Sequence, residues 1–145
     1  MNKDEYFPKF YDIDGPIRTF VTKRLIGIDC ESTVQEAAER MVEFNISSLV
    51  VMKEDDIVGF FTEGDIKKDV VAKGLKPDIP VKEIMTTDLI TVNIGDEIKD
   101  VLQTMTDKNI KHVLVREDGE IVGIVTFRDL IDIERRRLET YISRE

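Results

Sequence analysis

The chain has 145 residues, of which 41% are hydrophobic and 35% charged, and its formal net charge is −9. That is the size of one average domain or two small ones, with enough apolar residues for a true core. The acidic balance argues against general nucleic-acid binding, and any phosphate ligand has to be held by local donors against the overall field. Cys30 is the only cysteine and His112 the only histidine, which excludes an intramolecular disulfide and a Cys/His zinc cluster. Cys30 adjoins an apolar run and reads as a small buried hydrophobe. A Ser-His-Asp arrangement would have to use His112, and no nucleophile elbow accompanies it. No apolar run approaches the roughly 18 residues of a membrane span, and the opening MNKDEYFPKF has no signal-peptide core. A soluble, cytoplasmic protein is expected.

The chain begins with four aromatics, Tyr6, Phe7, Phe10 and Tyr11, which fit a strap over the core or a dimer surface. A short apolar strand, LIGI, follows at 25–28. Ser32 and Thr33, with Gln35 and Glu36 three residues on, mark a helix start. Val34, Ala37, Ala38 and Met41 give that helix its apolar stripe. Two strands come next, SLVVM at 48–52 and IVGFF at 57–61. The KEDD between them lacks a glycine, so its turn is expected to differ from an ordinary hairpin. A second helix starts at Thr62 and stops at Gly74, a usual C-terminal cap.

The same order then recurs. LITV occupies 89–92, Asp96 is the counterpart of Ser32, and Ile98, Val101, Leu102 and Met105 repeat the stripe. HVLV (112–115) and IVGIV (121–125) flank Asp118-Gly119, a strong hairpin signal. The last helix starts at Thr126 and can run nearly to the end. Its residues Leu130, Ile133, Leu138, Tyr141 and Ile142 form an apolar stripe that the repeat itself does not need. Shifted by 64 residues, positions 16–68 fall on 80–132 without a gap, and 13 of these 53 pairs are identical. Such self-similarity marks a duplicated supersecondary unit, here β-α-β-β-α. One copy alone would bury little core. The fold class is α/β (α+β).

GFFTEGD (59–65) and GIVTFRD (123–129) are the most specific shared stretch. One reading is local: Thr-x-x-Asp is a form of the capping box. The other is a ligand site. Gly59 and Gly123 weaken a strand but let something approach the backbone closely. A strand that ends at a helix N-terminus presents N–H groups and a positive dipole end to phosphate. The threonine adds a donor, and the aspartate can accept a bidentate pair from ribose hydroxyls.

These heptapeptides, with LIGIDCESTVQEAAERM and NISSLVVM ahead of the first, resemble a tandem pair of CBS domains, the regulatory modules named after cystathionine β-synthase. The resemblance covers about residues 16–135. It implies a strap (1–15), a first repeat (16–74), a linker (75–79), a second repeat (80–135) and a helical extension (136–145). It implies that the repeats pack by their sheets with pseudo-twofold symmetry, and that clefts between them bind AMP, ADP, ATP or S-adenosylmethionine, with magnesium as an accompanying ion. Thr62 and Thr126 would touch phosphate, Asp65 and Asp129 would hold ribose, and Ile26, Ile90 and Ser47 would flank the adenine. Lys111, His112 and Arg128 would reach phosphate in the second half, where the first half offers Ser47, Ser48 and Glu63. The resemblance further implies a non-enzymatic, energy-sensing module, a homodimer, and an unknown regulated protein as partner. The competing reading is a structural or oligomerising module with empty clefts.

Overall fold

The computed structural model describes residues 15–132. The aromatic N-terminal segment and the last helix beyond residue 132, including Ile133, Leu138, Tyr141 and Ile142, lie outside the described residues. Two compact units are present. One is continuous, Leu25–Leu89. The other joins Ile90 onward to the segment that ends at Arg24.

The continuous unit contains β1 (Gly27–Asp29), α1 (Val34–Phe44), β2 (Ser48–Lys53) and β3 (Asp56–Thr62). α2 (Glu63–Asp65) runs on into a π-helical stretch, Ile66–Val71. The other unit contains β4 (Thr91–Asn93), α3 (Ile98–Lys108), β5 (His112–Glu117) and β6 (Glu120–Thr126). A helix, α4, follows from residue 127. Each unit has a three-stranded sheet with its middle strand parallel to the first and antiparallel to the third. β1 and β4 begin two residues into the apolar runs that announce them. The missing residues still pair: the Ile26 carbonyl accepts from Val50 N–H at 3.1 Å, and that of Ile90 from Leu114 N–H at 3.2 Å.

The apolar stripes of α1 and α3 face their cores as their spacing requires. Val34, Ala37 and Met41 are buried in one, and Ile98, Val101, Leu102 and Met105 in the other. Both helices end on an asparagine in the left-handed region, Asn45 and Asn109, each with φ 52°. Asparagine tolerates that conformation better than most residues. The helix starts differ. Thr33 closes a full capping box with Glu36, accepting from its N–H at 3.1 Å. Asp96, expected to cap α3, does not. Its carboxylate turns back to accept from Asn93 N–H at 3.0 Å, and the cap position falls to Glu97, whose side chain does not bond the helix.

The hairpins behave as their sequences imply. Asp118 and Gly119 both take positive φ, 52° and 82°, as a type I′ turn requires, whereas in KEDD only Glu54 does so. Each sheet has one bulge, which leaves Val58 and Val122 without a cross-strand partner beside Gly59 and Gly123.

Pro80–Asp88 is the sequence counterpart of Pro16–Arg24, yet each of these arms packs on the other's repeat. Val81 lies in the core with α1 and β3, and Ile17 in the core with α3 and β6. Thr86 pairs with Phe60 through two backbone bonds of 2.8 Å, and Thr22 pairs with Ile124 through two of 3.0 Å. These arms explain the glycines. A Cβ on Gly59 would overlap Met85 Sδ, and one on Gly123 would lie 2.6 Å from the Thr22 carbonyl oxygen. The close approach at both glycines is made by the chain's own arm.

Candidate functional site

In each unit the first two strands begin, and the third ends, at one edge of the sheet. Residues far apart in sequence converge there. Ser48 lies opposite Thr62 in the ladder, and His112 opposite Thr126. The N–H of Glu63 donates to the Ser47 carbonyl at 3.0 Å, and that of Phe127 to the Lys111 carbonyl at 2.8 Å. These bonds fasten the helix start to the residue before the middle strand. Ile26 and Ile90 join the same edge through their pairing with Val50 and Leu114.

Thr62 and Asp65 form a reciprocal capping box. Thr62 N–H donates to Asp65 Oδ2 at 2.8 Å, and Asp65 N–H donates to Thr62 Oγ1 at 3.3 Å. Thr126 and Asp129 do the same at 3.2 and 3.1 Å. Two of the first three helix N–H groups are therefore taken in each unit, one by a carbonyl and one by the threonine. The open helix start expected from sequence is largely closed. Among the described residues, three groups remain at each corner: the threonine hydroxyl hydrogen, the N–H of Gly64 or Arg128, and the second carboxylate oxygen. That set suits a polyol next to an anion, with the carboxylate accepting from hydroxyls. Burial pushes the Asp65 carboxyl above its usual value, against the two bonds with Thr62, which favour the charged form.

The corners differ in charge. One gathers Lys111, His112 and Arg128 around Thr126 and Asp129. At the 64-residue spacing the counterpart of Arg128 is Gly64, and Glu63 corresponds to Phe127, so the charge contrast at that helix position is arginine against glycine. Sequence reading missed one cation of the other unit. Arg40, on α1, donates from Nη1 to the Gly27 carbonyl at 2.6 Å, directly beside Ile26. Its counterpart is Thr104, and this switch between arginine and threonine was the available signal.

Two repeats, each ending a β-β hairpin in a capped Thr-x-x-Asp helix, define a duplicated β-α-β-β-α fold. The CBS domain family matches residues 17–72 and 81–136, and the chain belongs to that family. A conserved protein of Pyrococcus horikoshii, of known structure, is 45% identical with a TM-score of 0.80, over 86% of this chain and 95% of that one. A protein of Methanopyrus kandleri is 35% identical over 105 residues, and the chain spans 54% of its length. A CBS domain pair solved in complex with 5′-methylthioadenosine and S-adenosyl-L-methionine is 27% identical, with a TM-score of 0.75 over 86% of this chain and 98% of that one. Among the described residues no helix is long and apolar enough to cross a membrane.

Proposed function

We propose that the chain is a regulatory module that binds adenosine-type ligands at its two Thr-x-x-Asp corners and passes their occupancy to a regulated protein. The observation that carries this reading is the convergence, twice, of a threonine hydroxyl, an aspartate and an apolar strand start at one sheet edge. A relative bound to two adenosine-type ligands supports the ligand class. In this reading Asp65 and Asp129 accept from ribose hydroxyls through the oxygen that the cap leaves over. Thr62 and Thr126 turn their hydroxyl hydrogens toward phosphate. Ile26 and Ile90, with Ser47, lie against the base. Lys111 and Arg128 supply cations, and His112 a ring N–H, to a phosphate-bearing ligand such as AMP, ADP or ATP, the last with magnesium. The role is binding and not catalysis, and self-association into a homodimer belongs to the same proposal.

A second reading, a structural module without ligand, has its own support. The capping boxes account for both threonines and both aspartates, and the arms account for both glycines. A thermal-shift panel of AMP, ADP, ATP and S-adenosylmethionine separates the two. A ligand at about 100 times its dissociation constant adds roughly 2.7 kcal/mol, a rise of roughly 5–10 °C in a chain of this size. An unchanged midpoint at millimolar concentration of all four favours the structural reading.

A further inference from the structure

The exposed large apolar residues among those described are Val42, Phe44, Val71 and Leu75, all in the continuous unit. Two of them stand in unusual company. Val71, 68% exposed, closes the π-helical stretch, and Leu75, 45% exposed, follows the left-handed Gly74. Around them lie Lys67, Lys68, Lys73 and Lys76, all exposed. Residues 66–76 thus hold four lysines against one acid, Asp69, in a chain of net charge −9. Among the described residues, Lys73 alone of the four forms a salt bridge, with Asp69 at 3.5 Å. At the 64-residue spacing, Val71 and Leu75 correspond to Arg135 and Glu139, and Lys68 corresponds to Asp132. The other repeat therefore does not carry this combination at the same positions.

We propose that the end of this helix, Lys67–Lys76, is a docking surface for an acidic polypeptide segment that carries apolar side chains. Charge complementarity selects the occupant. An overall acidic protein repels acidic partners over most of its surface, and a basic patch attracts one locally. Val71 and Leu75 give that partner two apolar anchors, and the lysines form the charged rim. The patch has no aromatic residue on which a nucleic-acid base could stack, and two apolar residues are few for insertion into a bilayer. Position adds a use. The helix that ends in this patch begins at Thr62 and Asp65, so a ligand held at its start and a partner held at its end touch one short element. That coupling rests on the ligand-binding reading; the docking surface does not.

The test uses the full chain and a fluorescein-labelled peptide with glutamate and leucine at helical spacing. A peptide with lysine in place of glutamate and phosphatidylserine vesicles serve as controls. The expected result is binding of the acidic peptide only, weakening as salt rises. The double variant Lys67→Glu/Lys76→Glu should lose about tenfold or more in affinity, and Val71→Ser/Leu75→Ser a comparable amount, as hot-spot losses of about 1.4 kcal/mol or more imply. These side chains are exposed, so the variants fold, and their thermal shift with nucleotide should match the parent. Binding both peptides alike, binding vesicles but not the acidic peptide, or indifference to both double variants overturns the docking surface. A flat nucleotide panel alongside acidic-peptide binding that both double variants weaken overturns only the ligand reading.

Discussion

The two repeats share their backbone devices and differ in the side chains set on them. Both sheets have a bulge at the same place, both first helices end on a left-handed asparagine, and both third strands carry a glycine under an arm. Their corners diverge. One has Lys111, His112 and Arg128, where the other has Ser47, Ser48 and Gly64. One first helix has a full capping box and the other has no side-chain cap. The second helix of the continuous unit winds through a π stretch, and α4 is α-helical over 127–132. Duplication thus preserved what the chain needs to fold twice, and left charge and the capping of the first helices free to change.

The glycines test how similar the shared devices are. At Gly123 an added Cβ meets the backbone carbonyl of Thr22 and Val21 Cγ1, at 2.6 and 2.5 Å. The carbonyl cannot withdraw without lifting the arm from β6. At Gly59 the nearest atoms belong to the Met85 side chain, which is unbranched and can swing aside. Gly123→Ala should cost roughly 2–3 kcal/mol and Gly59→Ala about 1 kcal/mol, within the range for overpacking a core. Urea unfolding of the two variants measures the gap. Equal losses would mean that the arms yield equally and that the repeats are closer in mechanics than their contacts suggest.

Sequence alone revealed the repeat, the element order and the stripes, because each rests on local spacing that survives in any tertiary setting. The Asp118-Gly119 turn and the Gly74 stop were legible for the same reason. What escaped was non-local. Gly59 and Gly123 could be recognised as points of close approach, but no local pattern says that Met85 and Thr22 make the approach. Asp96 has the chemistry of a cap, yet the turn from Asn93 takes its carboxylate first. Arg40 was invisible as a neighbour of the corner, because its contact with Gly27 spans 13 positions and depends on how α1 lies beside β1. At the corners, the capping and ligand readings call on the same threonines and aspartates, so the motif could not separate them.

Charge sharpens the comparison next. If phosphate sits at the Lys111, His112 and Arg128 corner, Asp129→Ala should weaken nucleotide binding more than Asp65→Ala. A cation close to phosphate contributes on the order of 1–3 kcal/mol, about one to two decades of affinity. Both variants should stay folded, since losing a cap costs about 1 kcal/mol. Calorimetric titration with ATP distinguishes the outcomes. Equal losses would show that the cations do not discriminate. A larger loss for Asp65→Ala would give the phosphate to the continuous unit, with Arg40 as the cation to examine.

The smallest effect concerns the carboxyl of Asp65. Burial raises its folded value above the usual 3.8, although its bonds with Thr62 pull the other way. Between 3.8 and that raised value, the folded chain holds a proton that the unfolded chain has released. Stability from this group therefore falls as pH rises through the window, and is regained as pH drops back toward 3.8. Asp65→Asn keeps an oxygen that can accept from Thr62 N–H and removes the titration. The stability of the parent relative to Asp65→Asn should accordingly increase as the solution is taken from neutral pH down to about pH 4. Urea midpoints of both proteins, measured at half-unit steps, give the difference directly. A flat difference would mean that the bonds to Thr62 offset burial. A difference that grows with pH would mean that the bonds to Thr62 outweigh burial, and that the cap holds this aspartate in its charged form.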